Sequence, residues 1–199
     1  MMFINWRYPQ PRRGLAGAID KFIGPGATRA EWGLQTIIPA VAAIAALLNA
    51  WQLGAEWTWW QNIVAALIAF DVMGGIITNA TSSAKRWYHR VGQGRKQHLN
   101  FIALHFLQLS LISWCFLDFD FVWIGIAGLY MMGAAWLILT TVLYLQRPMA
   151  MALYSGALLI SLYVLPAALG LEWFLPMFYL KLLVSHLPQE EPYRPSDEV

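Results

Sequence analysis

The chain has 199 residues, of which 59% are hydrophobic and 12% are charged, and its formal net charge at pH 7 is +2. A soluble domain has about 25% charged residues, so this chain has too few to cover a water-exposed surface, and a soluble globular protein is excluded. Intrinsic disorder is also excluded, because the apolar content is high and the net charge is low. The composition predicts a polytopic helical membrane protein with membrane lipids as its surroundings.

The numbers of cysteine and basic residues exclude further structural features and one class of partner. The single cysteine, Cys115, excludes an internal disulfide and a cysteine-based metal cluster. The basic residues are few and lie beside apolar segments, so we expect no nucleic-acid partner.

Residues 1–30 form a basic arm, in which Gly14–Ile23 is predicted as a short amphipathic helix on the inner leaflet. A flexible arm is the alternative. Thr28 and Glu31 then have the spacing of a capping box and mark the start of the first spanning helix.

Six apolar segments follow along the chain. A membrane-spanning helix needs roughly 17–25 residues, and the first five segments have this length. The sixth is shorter and contains Lys181, so five spans with a tilted or re-entrant last segment are the alternative. We therefore predict an all-α bundle of six transmembrane helices in the range 31–187, followed by a disordered tail over 188–199. The segments are 32–53, 58–82, 100–117, 121–144, 150–169 and 173–187.

Charge predicts the orientation of the bundle. Basic residues lie before the first segment, in the second and fourth loops and toward the C-terminus, whereas the other three loops carry only acidic charges. Because cytoplasmic loops are enriched in lysine and arginine, both termini are predicted to be cytoplasmic, in the cell (inner) membrane. Tryptophans cluster at the opposite boundary, as in an aromatic belt.

The second segment carries a polar stripe at helical spacing, from Asp71 through Gly74, Gly75 and Thr78 to Asn79. A carboxylate at the centre of a spanning helix costs about 2.5–3.5 kcal/mol, so the stripe should face the bundle interior and makes Asp71 a functional candidate. Close helix packing is the alternative explanation for the glycines, and an interhelical hydrogen bond for Asn79.

His98, at the cytoplasmic end of the second loop, lies on about the same face as His105 and Gln108 of the third segment. His98 and His105 are seven residues apart and are only weak metal candidates, because paired histidine ligands on one helix usually stand four apart. His89 and Arg90 lie at the inner boundary, where His89 is interpreted as a lipid head-group contact.

Counting the helical rise from the cytoplasmic boundary places His105 at about 8 Å, Asn79 at about 5 Å and Lys181 at about 9 Å, with Asp71 deeper at about 17 Å. We therefore predict a polar cavity open to the cytoplasm, with Asp71 near its floor. Lys181 either snorkels to the interface or pairs with Asp71 or with an anionic ligand. The same count puts three further polar residues in this layer: Gln35, Thr140 and Ser155.

The leading functional hypothesis is a membrane-embedded enzyme that acts on a lipid or amphiphile by acid/base chemistry. Asp71 or His105 would be the base, and Asn79 and Lys181 would stabilise developing negative charge. The sequence assigns no cofactor. The predicted substrate-binding residues are His98, Gln108, Arg90, Gln35 and Ser155.

Two other functions fit the same residues. A non-catalytic subunit, sensor or anchor would use the polar layer only for helix association, with a homo-oligomer or partner subunit docked on the cytoplasmic loops. A proton-coupled transporter or channel would use Asp71 and His105 as a two-step relay.

Overall fold

The computed structural model describes residues 2–195, so residues 196–199 of the predicted tail lie outside the described part. The secondary structure elements of residues 2–195 are helices apart from two three-residue strands, an addition to the all-α prediction. The elements in chain order are β1 (Met2–Ile4), α1 (Gly14–Ile23), α2 (Arg29–Gln52), α3 (Trp59–Ala80), α4 (Ser82–Tyr88), α5 (Arg95–Leu104), α6 (Phe106–Phe116), α7 (Phe121–Thr140), α8 (Leu143–Tyr163), α9 (Phe174–Tyr179), a π-helix (Leu180–His186) and β2 (Tyr193–Pro195).

Within residues 2–195, four helical segments are long and apolar enough to cross a membrane: α2, α3, α5 with α6, and α7. This finding supports a helical membrane protein, but with four such spans where the sequence predicted six. α8 covers 143–163 where 150–169 was predicted, and its first turns include Arg147, which was expected in a loop. The six residues of α9 and the seven of the π-helix form one short apolar segment.

Helix starts are fixed by local side-chain hydrogen bonds. The predicted capping box is confirmed, because the Glu31 N–H donates to the Thr28 hydroxyl and the Thr28 N–H donates to Glu31 Oε2 at 2.7 Å. Thr58 and Gln61 cap α3 in the same way. The predicted helix in the N-terminal arm is also present as α1.

α9 and the π-helix lie at the centre of the molecule, packed against α3, α7 and α8. Phe178, Leu182 and Leu183 are fully buried, as is Tyr179, whose hydroxyl donates to the carbonyl of Ala127 at 3.0 Å. A mostly apolar segment is suited to such a central position when its polar residues, such as Lys181, find partners inside the bundle. The shortest predicted span is therefore the most enclosed one.

The helices run alternately between two ends of the bundle. The chain termini meet at the first, which we call the basic end, where β1 pairs antiparallel with β2. Gln146 at the start of α8 also reaches this end, because its side chain accepts from the N–H of Gln189 at 3.3 Å. At the other end, which we call the aromatic end, the Gln61 amide donates to the carbonyl of Cys115 at 2.6 Å, and the rings of Trp60 and Trp114 are 6.3 Å apart.

The N-terminal arm is attached to the basic end through a close backbone contact. Gly24 has a φ of 88°, and a Cβ on this residue would lie 2.3 Å from the Ser83 carbonyl carbon. The Ser83 hydroxyl donates to the Ile23 carbonyl at 3.1 Å, and its N–H donates to Glu31. Only glycine lets α1 lie this close to α4.

Candidate functional site

The site is built around an ion pair between α3 and the π-helix. Lys181 Nζ lies 2.6 Å from Asp71 Oδ2, and the side-chain amide of Gln108 donates to the same oxygen. The Lys181 side chain is 5% exposed, whereas that of Asp71 is 40% exposed. A buried ammonium group is thus paired with a carboxylate that stays accessible.

Gly75 makes room for this lysine. A Cβ on Gly75 would lie 2.3 Å from Lys181 Cε and 2.7 Å from Cδ, so the lysine chain crosses α3 directly over the glycine. The ammonium group therefore points into the bundle instead of reaching the membrane interface.

A cavity of about 120 Å³ opens beside the ion pair, between α3, α5 and the π-helix. The four residues predicted to be catalytic all lie around it, and their chemical roles remain predictions. The aromatic side chains of α1, α4 and α5 line the rest of its wall. The lining residues are Phe22, Asp71, Gly75, Thr78, Asn79, Tyr88, Phe101, His105 and Lys181.

His105 lies at a break between α5 and α6. Its backbone N–H donates to Ile102 at 3.0 Å, and its ring Nδ1 donates to the carbonyl of Phe101 at 2.9 Å. The imidazole thus replaces the backbone donor that a regular helix would present to Phe101, which accounts for the break. Because Nδ1 carries the proton, Nε2 of the neutral ring is left as an acceptor.

A second polar cluster joins three elements at the basic end. His98 Nδ1 lies 3.1 Å from His186 Nε2, and His186 Nδ1 lies 3.4 Å from Asn79 Oδ1. Because the Asn79 oxygen can only accept, His186 donates from Nδ1 and accepts from His98 at Nε2. This chain holds the Asn79 side chain with its NH₂ group free to donate elsewhere.

The sequence hypothesis did not include His186. Under an α-helical period, five residues separate it from Lys181 and place the two on different faces. In a π-helix the hydrogen bonds run over five residues, so His186 lies one turn beyond Lys181. His89, interpreted as a head-group contact, instead has its ring 4.8 Å from that of His98 and donates to the carbonyl of His186 at 3.1 Å.

Other predicted residues lie apart from the cavity. The hydroxyl of Ser155 bonds to Met151 of its own helix on an exposed face, and Thr140 is likewise exposed. Gln35 is buried on α2 and does not line the cavity. Arg90 lies over the Trp87 ring, 3.6 Å from its centroid. The sequence predicted that every segment contributes a polar side chain to one layer. In the structure only α3, α5 and the π-helix do so at the cavity, with Gln108 of α6 behind the Asp71 carboxylate.

Burial shifts the pKa values of three side chains at the basic end. Burial lowers the pKa of Lys85 to about 8, and its ammonium group donates to the carbonyls of Ser185 and Pro188 at 2.7 and 2.8 Å. Burial and the nearby Lys85 lower the pKa of His89 to about 3, so this ring is neutral at physiological pH. Burial raises the pKa of Tyr88 to about 12, so its hydroxyl stays protonated.

The described residues contain no group of three or more histidine, cysteine or acidic side chains arranged to hold a metal ion. The two weak metal candidates have separate partners, His186 for His98 and Phe101 for His105. What the site offers chemically is an imidazole acceptor, a buried ammonium group and an accessible carboxylate around one cavity. Comparison with family models, curated proteins and solved structures finds no match to this chain.

Proposed function

We propose that this membrane protein performs acid/base chemistry on a lipid or amphiphilic substrate in the cavity between α3, α5 and the π-helix. The observation that carries the proposal is the Asp71–Lys181 pair, which buries its ammonium group at 5% exposure while leaving its carboxylate 40% exposed beside the cavity. Unpaired intramembrane charges are costly, so a pair that remains partly open to a cavity favours a functional role.

The roles follow from the hydrogen bonds. His105 Nε2 is the acceptor available for proton abstraction, because Nδ1 is occupied by the Phe101 carbonyl. Lys181 and the NH₂ group of Asn79 are the donors for negative charge that develops on the substrate. Asp71 holds Lys181 in place.

The dimensions and lining of the cavity favour an amphiphile. At about 30 Å³ per water molecule, 120 Å³ holds roughly four waters, which is enough for part of a polar head group. The aromatic lining from Phe22, Tyr88 and Phe101 suits the apolar part of such a molecule. The Tyr88 hydroxyl donates to the carbonyl of Phe22 at 2.8 Å and lies 3.2 Å from that of Lys21, so α1 lies against the cavity mouth.

We further propose that the basic end faces the cytoplasm of the cell (inner) membrane and that the substrate enters from that side. The pairing of β1 with β2 and the contacts of Gln146 and Arg147 with residues 189–190 support it, because they bring the basic arm, fourth loop and tail to one end. Concentration of positive charge on one side is typical of cytoplasmic loops.

A proton-coupled carrier is the second candidate. The hydrogen-bonded chain from His98 through His186 to Asn79 favours it, since such a chain lies between a second cavity of about 330 Å³ and the inner cavity.

The test compares lipids in membranes from cells that make equal amounts of wild type, Asp71→Asn, His105→Gln and Ser155→Ala. His105→Gln keeps an amide donor for the Phe101 carbonyl, and Ser155→Ala changes a polar residue outside the cavity. By mass spectrometry we expect wild type and Ser155→Ala to alter the same lipid species, and the other two to lose this activity by about 10²-fold or more.

Identical lipid compositions for wild type and Asp71→Asn, with both proteins monodisperse in detergent, would reject the enzyme. In that case, dissipation of a pH gradient across vesicles by wild type, but not by His186→Gln, would support the carrier.

A further inference from the structure

A groove on a different face of α3 has features of a lipid site. It has a volume of about 440 Å³, lies between α2, α3 and α9, and is mostly apolar. Its floor consists of small α2 side chains, Ala42, Ala45 and Ala46, with Met73 and Met177 beside them. These alanines are three and four residues apart, so they lie on one face of α2 and leave the groove open along that helix.

The groove ends at the aromatic end in three polar or aromatic residues. These are Asn49, Glu172 and Trp173. The peptide of Gly170 fixes two of them, because its N–H donates to Glu172 Oε1 at 3.1 Å and its carbonyl accepts from the Trp173 indole at 3.0 Å. Gly170 itself has a φ of 89° and is seated against Ala50 and Trp57.

The carboxylate of Glu172 accepts from the Gly170 N–H and has no ion-pair partner among residues 4–193, whose side chains the structure describes. The loops at this end carry only acidic charges, so a second anion would be repelled, whereas a cation would be attracted. An ammonium group is also attracted to the face of an indole ring. Charge and ring chemistry therefore select the same kind of head group.

We propose that this groove binds a phospholipid with an ammonium head group, the ammonium against Glu172 and Trp173 and an acyl chain along the α2 alanines. The inference is independent of the proposed catalysis, because the groove uses Ala69, Val72 and Met73 of α3, whereas the cavity uses Asp71 and Thr78.

The test uses the full chain reconstituted in vesicles of equal parts phosphatidylethanolamine and phosphatidylglycerol, followed by mild detergent extraction and native mass spectrometry. We expect wild type to retain about one phosphatidylethanolamine per chain in preference to phosphatidylglycerol. Glu172→Gln should reduce this preference about tenfold, whereas Glu56→Gln, an acidic residue at the same end outside the groove, should leave it unchanged.

A second variant separates the two parts of the site. Ala45→Leu places a larger side chain at an exposed position in the groove and should lower retention of both lipids without changing which is preferred. Retained lipid in the bulk ratio in wild type, or an unchanged preference in Glu172→Gln, would overturn the proposal. Wild type recovered without lipid, as a monomer or as a dimer, would also overturn it.

Discussion

Lys181 and Asp71 are an ion pair whose two members have unequal environments. The lysine is enclosed by the π-helix and Gly75, whereas the carboxylate borders the cavity. Removing one partner of a buried pair leaves the other without compensation, and the cost rises with the burial of the remaining charge. The two single substitutions should therefore differ in their effect on stability.

We expect Asp71→Asn to lower the free energy of unfolding by about 1–3 kcal/mol, because it leaves the enclosed ammonium group without its counter-ion. Lys181→Met should cost less, since Asp71 remains partly accessible. The double variant should be more stable than the sum of the single effects predicts, with a coupling energy of about 0.5–3 kcal/mol. Unfolding in detergent would measure these values, and additive effects would show that the two charges are not coupled.

The sequence singled out these two residues from the cost of intramembrane charge and offered their pairing as one interpretation of Lys181, but it could not decide between this pairing and snorkelling. Their contact depends on the rotation of α3 and on the π-helical turn, and neither is visible in an α-helical period. The break at His105 was not predicted either, because no proline or glycine marks it, and it coincides with the ring hydrogen bond to the Phe101 carbonyl.

Three elements meet through imidazole rings at the basic end: the turn after α4, α5 and the π-helix. His89, His98 and His186 supply the rings, and their neutral forms allow the hydrogen bonds that join these elements. Protonation of His89 would place a second cation beside the buried Lys85. The association of these elements should therefore weaken in acid.

The pH dependence follows from the pKa of His89, lowered to about 3 by burial and by Lys85 and His98. An unfolded histidine has a pKa of about 6.5. Above pH 6.5 neither state is protonated, and as the pH falls below it the unfolded chain binds a proton that the folded chain excludes. The free energy of unfolding should fall from pH 6.5 toward about 3.

By pH 5.5 the loss from this one group is about 1.4 kcal/mol. Thermal unfolding in detergent at pH 7.5 and 5.5 would measure it. His89→Gln, which retains an amide donor for the His186 carbonyl, should show a smaller decrease than wild type. An equal decrease in both proteins would assign the pH dependence to other groups.

The whole molecule shows which features hydropathy can predict. The membrane class follows from composition, and the long apolar segments and the capping box at Thr28 follow from local sequence. The helices α2, α3 and α7 lie close to their predicted ranges. The last segment is less predictable, because its central position comes from packing on all sides. α8 shows the same limit, since Arg147 suggested a loop, yet the helix begins before it and pairs this arginine with Glu190 at 3.8 Å.

Orientation and the number of crossings can be tested together by cysteine labelling. In a Cys115→Ala background we expect Val91→Cys, at the fully exposed turn of the basic end, to react with a membrane-impermeant maleimide only after permeabilisation. Glu56→Cys and Leu169→Cys, exposed at the aromatic end, should react in intact cells. Leu169 follows α8, so its labelling from outside requires that this less hydrophobic helix also crosses the membrane.

Labelling of Val91→Cys in intact cells would show the opposite orientation. Protection of Leu169→Cys alone would show that neither α8 nor the segment formed by α9 and the π-helix crosses the membrane.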